Sequence, residues 1–297
     1  MKEQTYQLLS RMKCLADPSR LRLVALCRQG ECSVSELARV IGQSQPRVSQ
    51  HLRQLCEAGL LERFRDGRRV FYRLPAAAAR AGALAQLMAL VPDDDPVLSA
   101  DTRRLHGARA TSRGPARQAA ADLAGGYRAL HRALMELTVT APLGDLLDIG
   151  CGRGRMLKLL ATRANRAIGV DIDADARELA RAELLLAGLP NCSLRQGDMY
   201  RLPFADREFD TIILDDVLGD ARHPVQALAE SKRLLRAGGR LIVLERPRAE
   251  PATLKHQLAE WCVAAGLRLA PVRFVPPASP EWLVSVATPA EGRAAAA

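Results

Sequence analysis

The stretch LLDIGCGRGR (146–155) runs an apolar, strand-like segment into Gly150, Gly152 and Gly154. Glycine lets a backbone come close to a ligand, and the start of the helix that follows favours a carboxylate or another anion. All three glycines are therefore expected to border a ligand. Nineteen residues beyond Gly152, IGVDID (168–173) puts Asp171, with Ile172 beside it, at the end of a second strand. A carboxylate there binds ribose hydroxyls. So far a nicotinamide dinucleotide fits as well as any other adenosine-bearing ligand. Three details go against the dinucleotide. Asp148 lies inside the end of the first strand, the glycines follow GxGxG rather than GxGxxG, and RQGDMYRLPFADREFD (195–210) adds a third acid, Asp198, followed by Met199.

The extra acids suit a cationic ligand. S-adenosylmethionine carries an amino group and a sulfonium but no phosphates, so Asp148 would face the amino-acid end, Asp171 the ribose, and Asp198 with Met199 the adenine. Methyl transfer needs little from a protein beyond in-line positioning of acceptor and sulfonium, sometimes with a base. No catalytic residue is assigned. His223, just before Pro224, reads as a helix cap rather than a base.

A second constellation lies near the N-terminus. VSELARVIGQSQPRVSQHLRQL (34–55) has a helix, a tight turn and a second helix. The second helix presents Gln45, Arg47, Ser49, Gln50, His51 and Arg53, side chains of the kinds that read base edges or phosphates, while Val48, Leu52 and Leu55 tie it to a core. A following hairpin carries Arg63, Arg65, Arg68, Arg69 and Arg73, placed to reach flanking backbone or minor groove.

The elements that must position these groups follow from the pattern. Asp17-Pro18 starts a helix that Gly30 ends. Ser33-Val34-Ser35-Glu36 fits a capping box for a helix stopping at Gly42, and Ser44 and Pro46 open the next, which runs to about Ala58. Leu61–Phe64 and Val70–Arg73 flank Asp66-Gly67 as a β-hairpin. These make an α+β winged helix-turn-helix over residues 1–75. Residues 76–124 are rich in Ala and Arg and read as a helical linker or dimerisation segment, with a helix over 75–90, a breaker at PDDDP (92–96) and little apolar periodicity over 103–117. From 125 to 297 strands at 146–149, 167–170, 193–196, 211–214 and 240–244 alternate with helices at 154–163, 174–187 and 224–236, and edge strands follow at 272–275 and 282–287. That alternation predicts an α/β Rossmann-like domain with a parallel sheet.

Composition narrows the function classes. The chain has 297 residues, 48% apolar and 26% charged, as ordinary globular proteins do. No apolar run approaches the roughly 18–20 residues needed to span a bilayer, and the N-terminus lacks the apolar core of a secretory signal. Seven scattered Cys without a CxxC predict reduced thiols and a cytoplasmic protein with no metal site. Of the net charge of +10, +7 falls in residues 1–74, where 14 Lys and Arg face 7 Asp and Glu, and only +1 in residues 141–297. A basic head on a near-neutral body predicts a polyanion partner for the first part alone.

ADPSRLRLVALC (16–27) and VSELARVIGQSQPRVSQHLRQLCEAGLLERFRDGRRVFYRL (34–74) resemble the ArsR family of winged-helix repressors. The resemblance implies a homodimer on an inverted-repeat operator in double-stranded DNA, with the helix at 44–56 in the major groove. Metal-sensing members carry Cys-x-Cys where this chain has Ser33 and Ser35, so metal sensing there is not expected. The glycine, Asp171 and Asp198 stretches, with LLRAGGRLIVLE (234–245), resemble class I S-adenosylmethionine-dependent methyltransferases, which implies that Asp215 and the residues after it lie on the acceptor side. The order of the two parts resembles fused regulators that respond to S-adenosylhomocysteine. The expectation is a repressor whose C-terminal domain binds S-adenosylhomocysteine or S-adenosylmethionine as effector. The competing expectation is a small-molecule methyltransferase with an autoregulatory DNA-binding part.

Overall fold

The computed structural model describes residues 3–75, 83–92, 95–110, 125–139, 141–248 and 250–290. The chain divides into two compact units, Met1–Gly114 with Glu178–Leu194, and Pro115–Arg177 with Arg195–Ala297.

In the first unit α1 (Glu3–Leu15) and α2 (Pro18–Gln29) precede a two-residue strand β1 (Cys32–Ser33), α3 (Val34–Ile41), α4 (Gln45–Glu57) and a hairpin of β2 (Glu62–Asp66) and β3 (Arg69–Arg73). The sheet order is β1-β3-β2, all antiparallel. Local chemistry sets the boundaries. Asp17 Oδ1 accepts from the Arg20 N–H at 2.9 Å, with Pro18 in the first turn. Ser33 and Glu36 form the full reciprocal capping box, the Ser33 N–H donating to Glu36 Oε2 at 2.8 Å and the Glu36 N–H to Ser33 Oγ at 3.3 Å. Gly42, at φ +73°, ends α3 in the left-handed conformation. Ser44 occupies the cap position of α4 but its side chain makes no cap bond. Leu23, Leu37, Val48, Leu52, Leu55 and Leu60 are fully buried in the core these helices share.

Two further helices belong to this unit, α5 (Ala83–Ala89) and α6 (Pro96–Ala110). Asp95 caps α6 by accepting from the Val97 and Leu98 N–H groups, both at 2.9 Å. The helix runs through 103–110, where apolar periodicity is weak. Its buried face includes ionic residues: Asp101 is held by Arg22 at 2.6 and 2.9 Å, and Arg109 donates to Glu36 Oε1 at 2.8 Å and to the Glu31 carbonyl at 2.6 Å. Arg181, in residues 178–194 of the same unit, donates to Glu31 at 3.0 Å and Asp66 at 2.6 Å and lies over the Phe71 ring. Buried charges are tolerated only when paired in this way. Residues 76–82, 93–94 and 111–124, part of the expected linker, lie outside the described residues.

The rest of the chain is built on one eight-stranded sheet. Helix α7 (Gly125–Val139) leads into β4 (Asp145–Ile149), α8 (Arg155–Leu160), β5 (Arg166–Asp171), α9 (Ala174–Leu186), β6 (Cys192–Gln196), β7 (Phe209–Asp215), α10 (Pro224–Leu234), β8 (Leu235–Glu245), α11 (Pro251–Ala264), β9 (Leu267–Leu269), β10 (Arg273–Val275) and β11 (Trp282–Pro289). The order is β10-β11-β8-β7-β4-β5-β6, with β9 also paired to β11. β4 is parallel to β5 and β7, and β7 to β8, whereas β11 runs antiparallel to β8. Leu147, Ile149, Val170, Ile212, Leu214 and Val243 are buried in its core, which is why these strands read as apolar runs rather than alternations. The strand order reverses at β4, so the crevice at the carboxyl ends of β4, β5 and β7 is the natural ligand position. Among the described residues no helix is long and apolar enough to cross a membrane.

The capping box makes a direct prediction. Ser33→Ala removes one of its two bonds and should lower the stability of the first unit by about 1 kcal/mol, read as a lower midpoint in urea denaturation with an unchanged slope.

Candidate functional site

On α4, Gln45, Arg47, Ser49, Gln50 and Arg53 are exposed while Val48, Leu52 and Leu55 are buried. One face of a helix is therefore free to hydrogen-bond outside the protein. His51 differs: it is half-buried, and both its ring nitrogens are buried without hydrogen-bond partners among the described residues. Arg68 stands exposed at the hairpin tip, and Arg69, also exposed, donates to Glu178 at 2.5 Å.

In the second unit Gly150, Gly152 and Gly154 sit between β4 and α8 at φ +72°, +50° and +76°, conformations that side-chain-bearing residues adopt only with strain. A Cβ on Gly150 would meet Val217 at 2.4 Å. The loop is stapled to β5: the Gly150 and Cys151 N–H groups donate to the Val170 carbonyl at 2.8 and 3.0 Å, and the Gly152 N–H to Asp171 Oδ2 at 2.7 Å.

The three glycines differ in burial and in how their backbone groups are used. Gly150 and Gly152 are half-buried, but Gly154 is buried. Its N–H donates to the Cys151 carbonyl at 2.8 Å, and its own carbonyl accepts from the Lys158 N–H at 2.9 Å. Both of its backbone groups are thus used inside the protein, where the residue takes the left-handed cap position of α8. Gly154 shapes the turn into the helix. The sequence pattern GxGxG cannot separate a glycine needed for ligand approach from one needed for a turn.

Asp171 Oδ1 accepts from the Asp173 N–H, and Arg177 donates to the Asp171 carbonyl at 2.9 Å. Each Asp171 oxygen retains lone-pair capacity for a hydroxyl. Ile172, 70% exposed, projects beside it. Asp198 is exposed and accepts from the Tyr200 N–H at 3.1 Å, and Met199 is half-buried against the core.

Asp148 is 1% exposed, and neither carboxylate oxygen has a hydrogen-bond partner among the described residues. Burial pushes its titration well above the ordinary carboxylate range; Asp215 and Asp171 push the same way, and Arg155 opposes them. A buried carboxyl at the foot of a glycine loop calls for a donor from outside the protein, and an ammonium group satisfies it. The residues present therefore fit an amino-acid-bearing nucleoside.

Sequence reasoning missed the groups surrounding Asp215. Arg155 donates to both Asp215 oxygens at 2.9 and 2.7 Å. Its guanidinium carbon lies 4.3 Å from the Tyr127 ring centroid and 5.3 Å from that of Trp282, and the two rings are 5.5 Å apart, tilted by 52°. Arg246 lies 5.1 Å from Trp282 and donates to Asp216 at 2.7 Å. Asp216 holds a left-handed backbone, φ +58°. Glu245, fully buried at the end of β8, accepts from the Val217, Leu218 and Gly219 N–H groups at 3.0, 2.6 and 3.3 Å, anchoring the loop after β7. His223 stands at the cap position of α10 without a side-chain cap bond, its ring edge-on to Tyr200. Among the described residues no group of three or more His, Cys, Asp or Glu is placed to hold a metal ion.

Residues 17–63 match the bacterial regulatory protein arsR family, and residues 147–243 match a methyltransferase domain family. The first segment is similar to the arsenic resistance transcriptional regulator ArsR1 of Pseudomonas putida, 51% identical over 63 residues, which are 21% of this chain and 49% of that protein. The second is similar to the ubiquinone/menaquinone biosynthesis C-methyltransferase UbiE of Burkholderia mallei, 36% identical over 123 residues, 39% of this chain and 50% of that one. The chain thus spans about half the length of these curated relatives. An S-adenosylmethionine-dependent methyltransferase structure from Aquifex aeolicus superposes with a TM-score of 0.48 at 18% identity, covering 61% of this chain and 97% of that one. A segment matching the arsR regulatory family and one matching a methyltransferase domain family therefore follow one another in a single chain.

The Glu245 anchor carries a pH signature. Burial raises its carboxyl from 4.5 to about 7 against its three backbone donors. The folded state then holds a proton that the unfolded chain releases, so this group's contribution to stability falls as pH rises between these values and is level above them. Against Glu245→Gln, which does not titrate, wild type should lose about 3 kcal/mol of relative unfolding free energy over that interval, measured by denaturation at a series of pH values. A pH-independent difference would mean that Glu245 stays ionised throughout.

Proposed function

We propose that this protein is a DNA-binding transcriptional repressor whose methyltransferase-like domain takes S-adenosylhomocysteine or S-adenosylmethionine as an effector. The observation that carries the effector reading is Asp148, a buried carboxyl with no hydrogen-bond partner among the described residues, at the foot of the glycine loop. In this reading Asp148 takes the ammonium of the ligand, Asp171 the ribose hydroxyls, and Ile172, Asp198 and Met199 border the adenine. Gly150 and Gly152 allow close backbone approach, Gly154 acts only by turning the chain into α8, and Asp215 borders the far end.

The exposed face of α4 supports operator binding through Gln45, Arg47, Ser49, Gln50 and Arg53, with Arg68 and Arg69 on flanking phosphates. His51, turned partly inward, serves to seat the helix. A homodimer on an inverted repeat is supported by Tyr6, Leu8, Leu9 and Met12 on α1, which are 39–56% exposed; an apolar stripe of that kind gains by pairing with its own copy. Reduced thiols and DNA as partner fit the cytoplasm. The working division is a winged helix over 1–75, a linking segment over 76–124 and the methyltransferase-like domain over 125–297.

A second reading, a small-molecule methyltransferase with an autoregulatory DNA-binding part, is favoured by the similarity to UbiE. Against it, the Glu245 oxygens are occupied by backbone N–H groups and Arg155 covers the aromatic faces beside the loop. Release of S-adenosylhomocysteine from S-adenosylmethionine in the presence of a cell extract would support the enzyme.

For an effector to regulate, it must bind the DNA-free and DNA-bound forms with different affinity, and a coupling of about 1–3 kcal/mol changes operator occupancy roughly 5- to 150-fold. Operator affinity measured across salt concentrations, with and without each ligand, should show such a change, and its logarithm should fall by about 0.9 per phosphate contact for each decade of salt. Affinity indifferent to both ligands removes the effector role; indifference to salt removes the phosphate contacts. Asp171→Ala should weaken adenosyl-ligand binding at least tenfold by calorimetry, and unchanged affinity would remove Asp171 from the ribose.

A further inference from the structure

The effector reading leaves two cations near the glycine loop, Arg155 and Arg246, without a role. The loop ends directly in Arg155, the first residue of α8. The guanidinium of Arg155 is clamped by both oxygens of Asp215 and lies across Tyr127 and Trp282. Arg246 takes a further approach to Trp282. Aromatic faces are the neutral surfaces to which a protein brings an organic cation. Here two such faces are already covered by the protein's own cations.

On the adenosyl-binding reading above, we propose that Arg155, seconded by Arg246, is the specificity determinant that makes this site favour the neutral thioether of S-adenosylhomocysteine over the sulfonium of S-adenosylmethionine. The sulfur of either ligand links the ribose to the amino-acid side chain. With the ribose at Asp171 and the ammonium at Asp148, the sulfur would lie along the loop between them, which ends in Arg155, a group close enough to act on the charge of Asp148. A sulfonium there finds the aromatic faces already occupied by the guanidinium, whose charge Asp215 balances; a thioether does not need those faces. The two ligands share the same ammonium, carboxylate, ribose and adenine. Any pairing of Arg155 with the shared carboxylate therefore cancels in the ratio of their affinities, and that ratio reports the charge at sulfur.

Removing the guanidinium acts in one direction through two routes. It frees Tyr127 and Trp282, and it leaves Asp215 unpaired, and each change favours a cation. The test is titration calorimetry of the full chain with S-adenosylhomocysteine and S-adenosylmethionine. Wild type should bind the thioether more tightly. Arg155→Gln should shift the ratio of the two affinities roughly tenfold or more toward the sulfonium, a change of about 1.4 kcal/mol. Arg155→Lys keeps the charge and should hold the ratio within about twofold. Arg246→Gln, half-exposed at the rim and so tolerant of replacement, should shift it less and in the same sense; it keeps the question answerable if Arg155→Gln fails to fold. Equal weakening of both ligands by Arg155→Gln, or a shift toward the thioether, would show that the guanidinium only holds the loop in place and would overturn the proposal. If wild type binds neither ligand, the adenosyl reading itself falls.

Discussion

A carboxyl group buried without a partner is among the more costly arrangements a protein can hold, and Asp148 is one. Leaving a buried polar group unsatisfied costs about 1–3 kcal/mol, more when it is charged. Burial disfavours the ionised form and pushes its titration upward. Its surroundings are consistent with a group held ready rather than a packing error. The glycine loop above it is fixed by short hydrogen bonds to β5 and within itself, and Asp215 is neutralised by Arg155 rather than left to add a second charge.

Elsewhere the same chain shows what it does with a buried charge that is purely structural. Asp101 is clamped by Arg22, Arg109 by Glu36 and the Glu31 carbonyl, and Arg181 by Glu31 and Asp66. Each has its partners supplied from the protein itself. Asp148 has none among the described residues, and it lies where the sheet order reverses, the position at which an open α/β sheet takes its ligand. On the adenosyl reading, Asp148 differs from these ion pairs in taking its counter-group from a ligand rather than from the chain.

Much of this was legible from residue order because the signals are local. The capping box at Ser33, the left-handed Gly42, the Asp66-Gly67 turn and the three loop glycines each depend on a few neighbouring residues, and the apolar runs of β4, β5, β7 and β8 follow from burial on both faces. What escaped depends on contacts distant in sequence or on which way a group faces. Nothing near Arg155 announces that it meets Tyr127, 28 residues earlier, or Trp282, 127 residues later. Helix α6 was obscured through 103–110 because ion-paired Asp101 and Arg109 stand where apolar residues would mark a buried face. His51 looked like its exposed neighbours by residue type, yet its ring turns inward, a choice that packing makes and helical spacing alone does not. Gly154 likewise shares its left-handed backbone with Gly150 and Gly152 but turns it into the protein.

The central claim is that Asp148, buried without a hydrogen-bond partner among the described residues, takes the ammonium of an adenosyl ligand. A cation beside the carboxyl lowers its titration, so a proton it holds before binding is released. Calorimetric titration of S-adenosylhomocysteine into the full chain, in mildly acidic buffers of differing ionisation enthalpy, measures that proton directly. The account predicts release approaching one proton per ligand bound in wild type and none in Asp148→Asn; binding with no proton released, or with the same release in both proteins, would contradict it.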